Sequence, residues 1–167
     1  DPVMIAASGD RLLAPDAIAV LRDVLMKQAL VVTPNLPEAA ALLETAIAEN
    51  EMQMQAQAEK LLALGARAVL IKGGHGSGAE SVDFLVQPTA VARFAAARID
   101  TQNTHGTGCT LASAIAAGLA KGLDLGDSVQ QAKAYVAAAI AASDRLTIGH
   151  GHGPVHHFHD WWNEGTA

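Results

Sequence analysis

The most chemically specific stretch of the chain is Asn103-Thr104-His105-Gly106-Thr107-Gly108-Cys109-Thr110, which runs straight into Leu111-Ala112-Ser113-Ala114. Gly106 and Gly108 bracket Thr107, and glycine lets a backbone approach an anion closely and take dihedrals closed to other residues. A helix starting here would aim unpaired N–H groups and the positive end of its dipole at one spot. Such an anion hole suits a phosphate, or the charge that develops during phosphoryl transfer. Cys109 falls at the same helix start, where a thiolate is favoured, so it could act as base or nucleophile. The same spacing also fits a Gly-rich turn holding a small buried cysteine.

Three further groups could do chemistry. In Thr33-Pro34-Asn35-Leu36-Pro37-Glu38, Asn35 and Glu38 stand three apart at a predicted helix start. Glu38 is favourable there for helix stability alone, and it could equally organise a hydrated magnesium ion. In Lys72-Gly73-Gly74-His75-Gly76, a lysine ends an apolar run beside glycines; it could reach phosphates or mark an ordinary strand-to-loop transition. The tail holds His150, His152, His156, His157 and His159, five of the seven histidines within ten residues. That composition suggests metal, but no carboxylate or cysteine joins them at a convincing ligand spacing, which favours a solvated or packing role. Neither a Walker A loop nor a dinucleotide fingerprint is present; Lys72 precedes its glycines and so breaks the first pattern.

The elements that must position these groups alternate. Residues 14–28 place Ile18, Leu21, Val24 and Leu25 at helical spacing, with Pro15 in the first turn. Ala29–Thr33 is a short β-branched run stopped by Pro34, a buried strand. Helices are expected over 38–48 and 56–64, the latter ending at Gly65, with the Gln-rich residues 50–57 as a solvated helix start. Ala68–Lys72 is the clearest strand. Val82–Val86 and Val91–Ile99 read as strands around a turn at Pro88. Helices follow over 107–121 and 128–146, and the chain ends in a Gly/His/Pro-rich tail from Gly149. This alternation predicts an α/β fold with a mostly parallel sheet. Ligands in such folds bind beyond the carboxyl ends of the strands.

Composition narrows the class. The chain has 167 residues, half of them apolar, 17% charged and 4% aromatic. It is too apolar to be disordered. Its longest apolar candidate, Tyr135–Ala142, falls far short of the roughly 18 residues that span a bilayer. With 35 alanines and few aromatics, the core is expected to be Ala, Leu, Ile and Val. A single cysteine excludes a disulfide framework and fits a reducing compartment, hence a cytoplasmic setting. A net charge of -6 argues against nucleic acid. No secretory or transit segment opens the chain; it starts Asp1-Pro2-Val3-Met4 with no initiator Met, as though cut from something longer.

Five blocks together resemble one family. They are Asp1-Pro2-Val3-Met4 with Ser8-Gly9-Asp10 and Leu12-Leu13; Thr33-Pro34-Asn35 through Glu38-Ala39; Val69-Leu70-Ile71-Lys72-Gly73-Gly74-His75; Asn103 through Cys109; and Gly151-His152-Gly153-Pro154-Val155. In this order they resemble the hydroxymethylpyrimidine/phosphomethylpyrimidine kinases of thiamine biosynthesis, within the ribokinase-like superfamily. The resemblance implies a three-layer α-β-α sandwich with a mostly parallel sheet. It implies ATP-dependent phosphorylation of 4-amino-5-hydroxymethyl-2-methylpyrimidine and then of its monophosphate, with magnesium accompanying ATP.

By position, the resemblance makes Gly106, Thr107 and Gly108 the anion hole. It puts Cys109 where related sugar kinases keep a catalytic Asp. Asn35, Lys72 and Thr104 would serve the nucleotide phosphates, Glu38 and Asp1 the metal, and Val3 the pyrimidine. It implies a homodimer when complete. The family's N-terminal portion, with its Gly-rich substrate segment, has no counterpart here. Residues 1–167 are therefore expected to be the C-terminal part of one kinase domain, inactive and unstable alone because sheet edges and apolar faces would be exposed. Other readings stay open: a pyridoxal kinase, since some relatives with Gly-Thr-Gly-Cys act on pyridoxal; a nucleotide-binding or oligomerising remnant without catalysis; or a regulatory domain fused to another enzyme of the pathway.

Overall fold

The computed structural model describes residues 1–4, 12–74 and 78–162. They divide into two compact units, residues 1–95 and 96–167. Ser8, Gly9, Asp10, His75 and Gly76 lie outside the described residues.

In the first unit, the helix expected over 14–28 forms as α1 (Pro15–Val20), a π-helical turn (Leu21–Leu25) and α2 (Met26–Gln28). Pro15 opens it, where a missing N–H costs nothing. The run Ala29–Thr33 does not become a full strand. It pairs in parallel with β1 (Val69–Lys72) only through an isolated bridge, Val32 to Val69, and a second bridge, Asn35 to Lys72, lies just beyond the run. Val32 N–H donates to the Ala68 carbonyl and Leu70 N–H to the Val32 carbonyl. Pro34 then interrupts the ladder, because it accepts from Lys72 N–H but has no N–H to return.

α3 (Leu36–Leu43) is shorter than the expected 38–48 helix. Glu44 takes a left-handed φ of 55° and Thr45 N–H turns back to the Ala40 carbonyl, which closes the helix. α4 (Glu51–Ala63) begins earlier than expected, because Asn50 caps it by accepting from Gln53 N–H at 2.9 Å. The Gln-rich residues 50–57 form the N-terminal half of this helix, and residues 50–53 are exposed, as expected of a solvated helix start. β2 (Glu80–Gln87) and β3 (Ala90–Ala97) complete a sheet of order β1-β2-β3, with β1 and β2 antiparallel. Among the described residues this sheet is antiparallel, and parallel pairing is confined to isolated bridges.

The core of this unit joins Leu36, Ala39, Leu42, Ala58, Leu61, Val69, Ile71 and Val86 to Met4, Met26 and Met54. The expected Ala/Leu/Ile/Val core thus omitted methionine, whose unbranched side chain fills irregular gaps. Phe84 belongs to it as well.

The second unit is built on α5 (Thr107–Ala120) packed against α6 (Leu125–Ala141). Asp124 caps α6 through Asp127 N–H at 2.8 Å, so that helix starts three residues before the expected Ser128. It ends sooner too, passing into a 3₁₀ turn at Ser143–Arg145. Leu111, Ile115, Val129, Val136 and Val155 are buried in this unit. Where α5 meets α6, a Cβ on Gly118 would come within 2.8 Å of Ser128 Oγ. Of the described residues, no helix is long and apolar enough to cross a membrane.

Candidate functional site

The residues singled out by their chemistry form two groups, one in each unit.

The first group gathers at the ends of the two parallel-bridged segments. Asn35 is the N-cap of α3. Its Oδ1 accepts from Glu38 N–H, and Glu38 Oε2 accepts from Asn35 N–H, both at 2.8 Å. This reciprocal capping box holds Glu38 3% exposed. Lys72, bridged to Asn35 through the backbone, donates from Nζ to Asp1 Oδ1 at 2.7 Å, with both side chains only 12% exposed. Thr33 Oγ1 donates to the same oxygen at 3.0 Å. Lys72 and Asp1, expected at phosphate and metal respectively, are therefore ion-paired with each other. Val3 lies two residues on and is 43% exposed.

Gly73 follows Lys72 because nothing larger fits: a Cβ there would run into the Val82 carbonyl and come within 2.9 Å of Met54 Cε. Its N–H donates to Asp83 Oδ1 at 2.9 Å. Asp83 is 5% exposed and sequence reasoning passed over it. The available signal was one acid inside the apolar run Val82-Asp83-Phe84-Leu85-Val86.

The two carboxylates assigned to metal each give an oxygen to protein donors. No cluster of three His, Cys, Asp or Glu able to hold a metal ion occurs among the described residues. Magnesium does not require such a cage. It is commonly held by one or two carboxylates, water and substrate phosphates, and in that form it is compatible with Glu38 and Asp1.

The second group lies at the start of α5. Gly106 is its N-cap, with φ 85° in the left-handed region and no side-chain cap. The Thr104 carbonyl accepts from both Thr107 Oγ1 at 2.7 Å and Thr107 N–H at 3.3 Å. Thr104 thus contributes backbone, while its side chain is exposed. The N–H groups of Gly108 and Cys109 meet no acceptor among the described residues. Cys109 is exposed, which removes the reading of a small buried cysteine. Beside it opens a groove of about 470 Å³ lined by Cys109, Thr110, Ser113, Ala114, Tyr135 and His157.

The histidine tail packs along this unit. His157 Nε2 lies 3.0 Å from Thr110 Oγ1, and Tyr135 Oη donates to the His157 carbonyl at 2.8 Å. His156 is buried in a T-shaped contact with the Trp162 ring, and His159 contacts Asp160 and the Tyr135 ring. His152 Nδ1 is 3.1 Å from the Gln102 carbonyl. Tyr135 and His157 as groove residues were not foreseen; only proximity in the fold pairs them with Cys109.

The fold is that of a class of small-molecule kinases. It superposes on *Bacillus subtilis* pyridoxal kinase, solved as an ADP complex, with a TM-score of 0.83 and 34% identity, covering 88% of this chain and 57% of that one. It superposes on phosphomethylpyrimidine kinase from *Clostridium difficile* 630 with a TM-score of 0.71 and 38% identity, covering 84% and 55%. The chain belongs to the phosphomethylpyrimidine kinase family, whose model matches residues 1–156. A curated relative, hydroxymethylpyrimidine/phosphomethylpyrimidine kinase of *Rhizobium meliloti* (strain 1021), is 57% identical over 164 residues, 98% of this chain and 62% of that protein. The chain spans about three fifths of the length of curated relatives such as this one.

Proposed function

We propose that the protein transfers the γ-phosphoryl group of ATP to the hydroxyl of 4-amino-5-hydroxymethyl-2-methylpyrimidine, and then to the phosphate of the product. The observation that carries this reading is the start of α5. There the open N–H groups of Gly108 and Cys109 follow a left-handed Gly106, in a chain of the phosphomethylpyrimidine kinase family. Phosphoryl transfer asks for positioning and charge neutralisation more than for covalent help. The α5 N–H groups and dipole would receive the charge growing on the equatorial oxygens. Cys109 would take the proton of the attacking hydroxyl as its oxygen bonds to phosphorus and the bond from phosphorus to the ADP oxygen breaks.

Lys72, Asn35 and Thr104 belong to the nucleotide side of this reading, and Val3 to the pyrimidine side. Magnesium would neutralise phosphate charge when bound, with Glu38 and Asp1 as its protein contacts. The reading takes residues 1–167 as the C-terminal part of one domain, a three-layer α-β-α sandwich with a mostly parallel central sheet, working in the cytoplasm as a homodimer on a small molecule. It expects the 167-residue chain alone to be inactive; exposed Val20, Val24, Leu25 and Leu30 fit a chain with apolar surface still to cover.

The second reading, pyridoxal kinase, draws on the fold likeness to the *B. subtilis* enzyme. Parallel assays of the intact gene product with the pyrimidine and with pyridoxal separate the two. Phosphorylation of the pyrimidine and of its monophosphate is expected; turnover of pyridoxal alone overturns the proposal.

A further inference from the structure

We infer that Asp144 is a positioning residue for the loop that carries Gly106–Cys109. Asp144 sits in the 3₁₀ turn after α6, far along the chain from that loop. Its Oδ1 accepts from Thr101 Oγ1 at 2.6 Å and from Asn103 Nδ2 at 2.8 Å. Asn103 is oriented by these contacts. Its N–H donates to Thr101 Oγ1 at 3.1 Å, and its Oδ1 accepts from Gly153 N–H at 3.0 Å.

The relay continues through backbone. The Gly153 carbonyl accepts from His105 N–H at 3.0 Å, and the His105 carbonyl accepts from Val155 N–H at 3.2 Å. His105 immediately precedes the left-handed Gly106. Gly153 is itself constrained, because a Cβ there would run into Asn103 Oδ1. One carboxylate oxygen therefore fixes an amide, three residues before the α5 N-cap, whose two ends bond the turn after α6 and the tail. A carboxylate suits this place because it accepts two donors on one oxygen without a proton of its own to misdirect.

The inference rests on the proposed phosphoryl transfer only for its kinetic consequence. In the intact protein, Asp144→Ala is expected to lower kcat by about tenfold to a hundredfold through misplacement of the reacting groups, with KM for ATP within about threefold. Asp144→Asn keeps an oxygen acceptor and is expected to restore most of that loss. Thr101→Val removes one of the two donors and should act in the same direction by less. Amide hydrogen exchange supplies a readout independent of activity: His105 N–H should exchange about tenfold faster in Asp144→Ala. A lower melting temperature with unchanged kcat per folded molecule overturns the inference, and so does unchanged exchange at His105. If the wild-type protein phosphorylates no pyrimidine, the functional reading fails, while the exchange comparison still decides the role of Asp144.

Discussion

Lys72 Nζ and Asp1 Oδ1 meet at 2.7 Å although 71 positions separate them, and each side chain is only 12% exposed. Removing one member of a largely buried pair leaves its partner's charge without that compensation, which is costlier than losing a surface contact. Lys72→Met is expected to lower unfolding free energy by about 3 kcal/mol. Urea denaturation measures this, and a change below about 0.5 kcal/mol would class the pair with ordinary surface ion pairs.

The capping box separates stability from ion binding. Asn35→Ala removes the acceptor for Glu38 N–H and should cost about 1 kcal/mol. Glu38→Gln keeps an acceptor for Asn35 N–H, since Gln also serves at that position of a capping box, and stability should hold within about 0.5 kcal/mol. If Glu38 also meets hydrated magnesium, the same variant requires several-fold more magnesium for half-maximal activity. A magnesium titration of wild type and variant that superimpose would restrict Glu38 to its helix.

Cys109 stands exposed at the start of α5. In the proposed reaction a base at this place would act on the reacting proton and not on bound nucleotide. Cys109→Ala is expected to reduce kcat by about a hundredfold or more while nucleotide affinity, measured by calorimetry, moves little. Equal losses in both would assign the thiol to binding.

Arg93 on β3 donates to both Glu51 carboxylate oxygens and to Glu80 Oε2, each at 2.9 Å. Hydrogen bonding to Arg93 holds the Glu51 carboxyl below its ordinary value of 4.5, and the two acids raise the Arg93 guanidinium. A depressed carboxyl favours the folded state above its unfolded value and loses that contribution as pH falls through the folded one. The contact is solvent-exposed, so its effect on stability is small. Carboxyl titration by NMR should find Glu51 low in wild type and raised toward 4.5 in Arg93→Met; an unchanged midpoint would show that the contact does not persist in solution.

Periodicity and punctuation located most elements, because those signals are local. α5 and β1 lie where glycine and apolar runs put them. Misses arose where a single residue outweighed the pattern. Pro34 cut the ladder of an otherwise convincing strand, Glu44 closed α3 from a left-handed conformation, and Asn50 started α4 ahead of its apolar stripe. The Asn35–Glu38 pair was legible because both halves of a capping box lie within four residues. Asp144 and Asn103 were not, since 41 positions separate them and only the fold brings an acid to an amide. Lys72 stands out by its position beside glycines, but nothing local announces that Asp1 is its partner.

The contact between Gly118 and Ser128 ties two positions into one size allowance. A methyl added at 118 would press on the Ser128 side chain, with its Cβ only 3.0 Å away. Since α5 and α6 are packed through small residues, neither helix can retreat without opening the buried contacts of Ile115 and Val129. Descendants of this chain that acquire alanine at 118 should therefore tolerate it best when 128 has become glycine. The pair would then drift together, as a bond between two sites that no charge or hydrogen bond enforces.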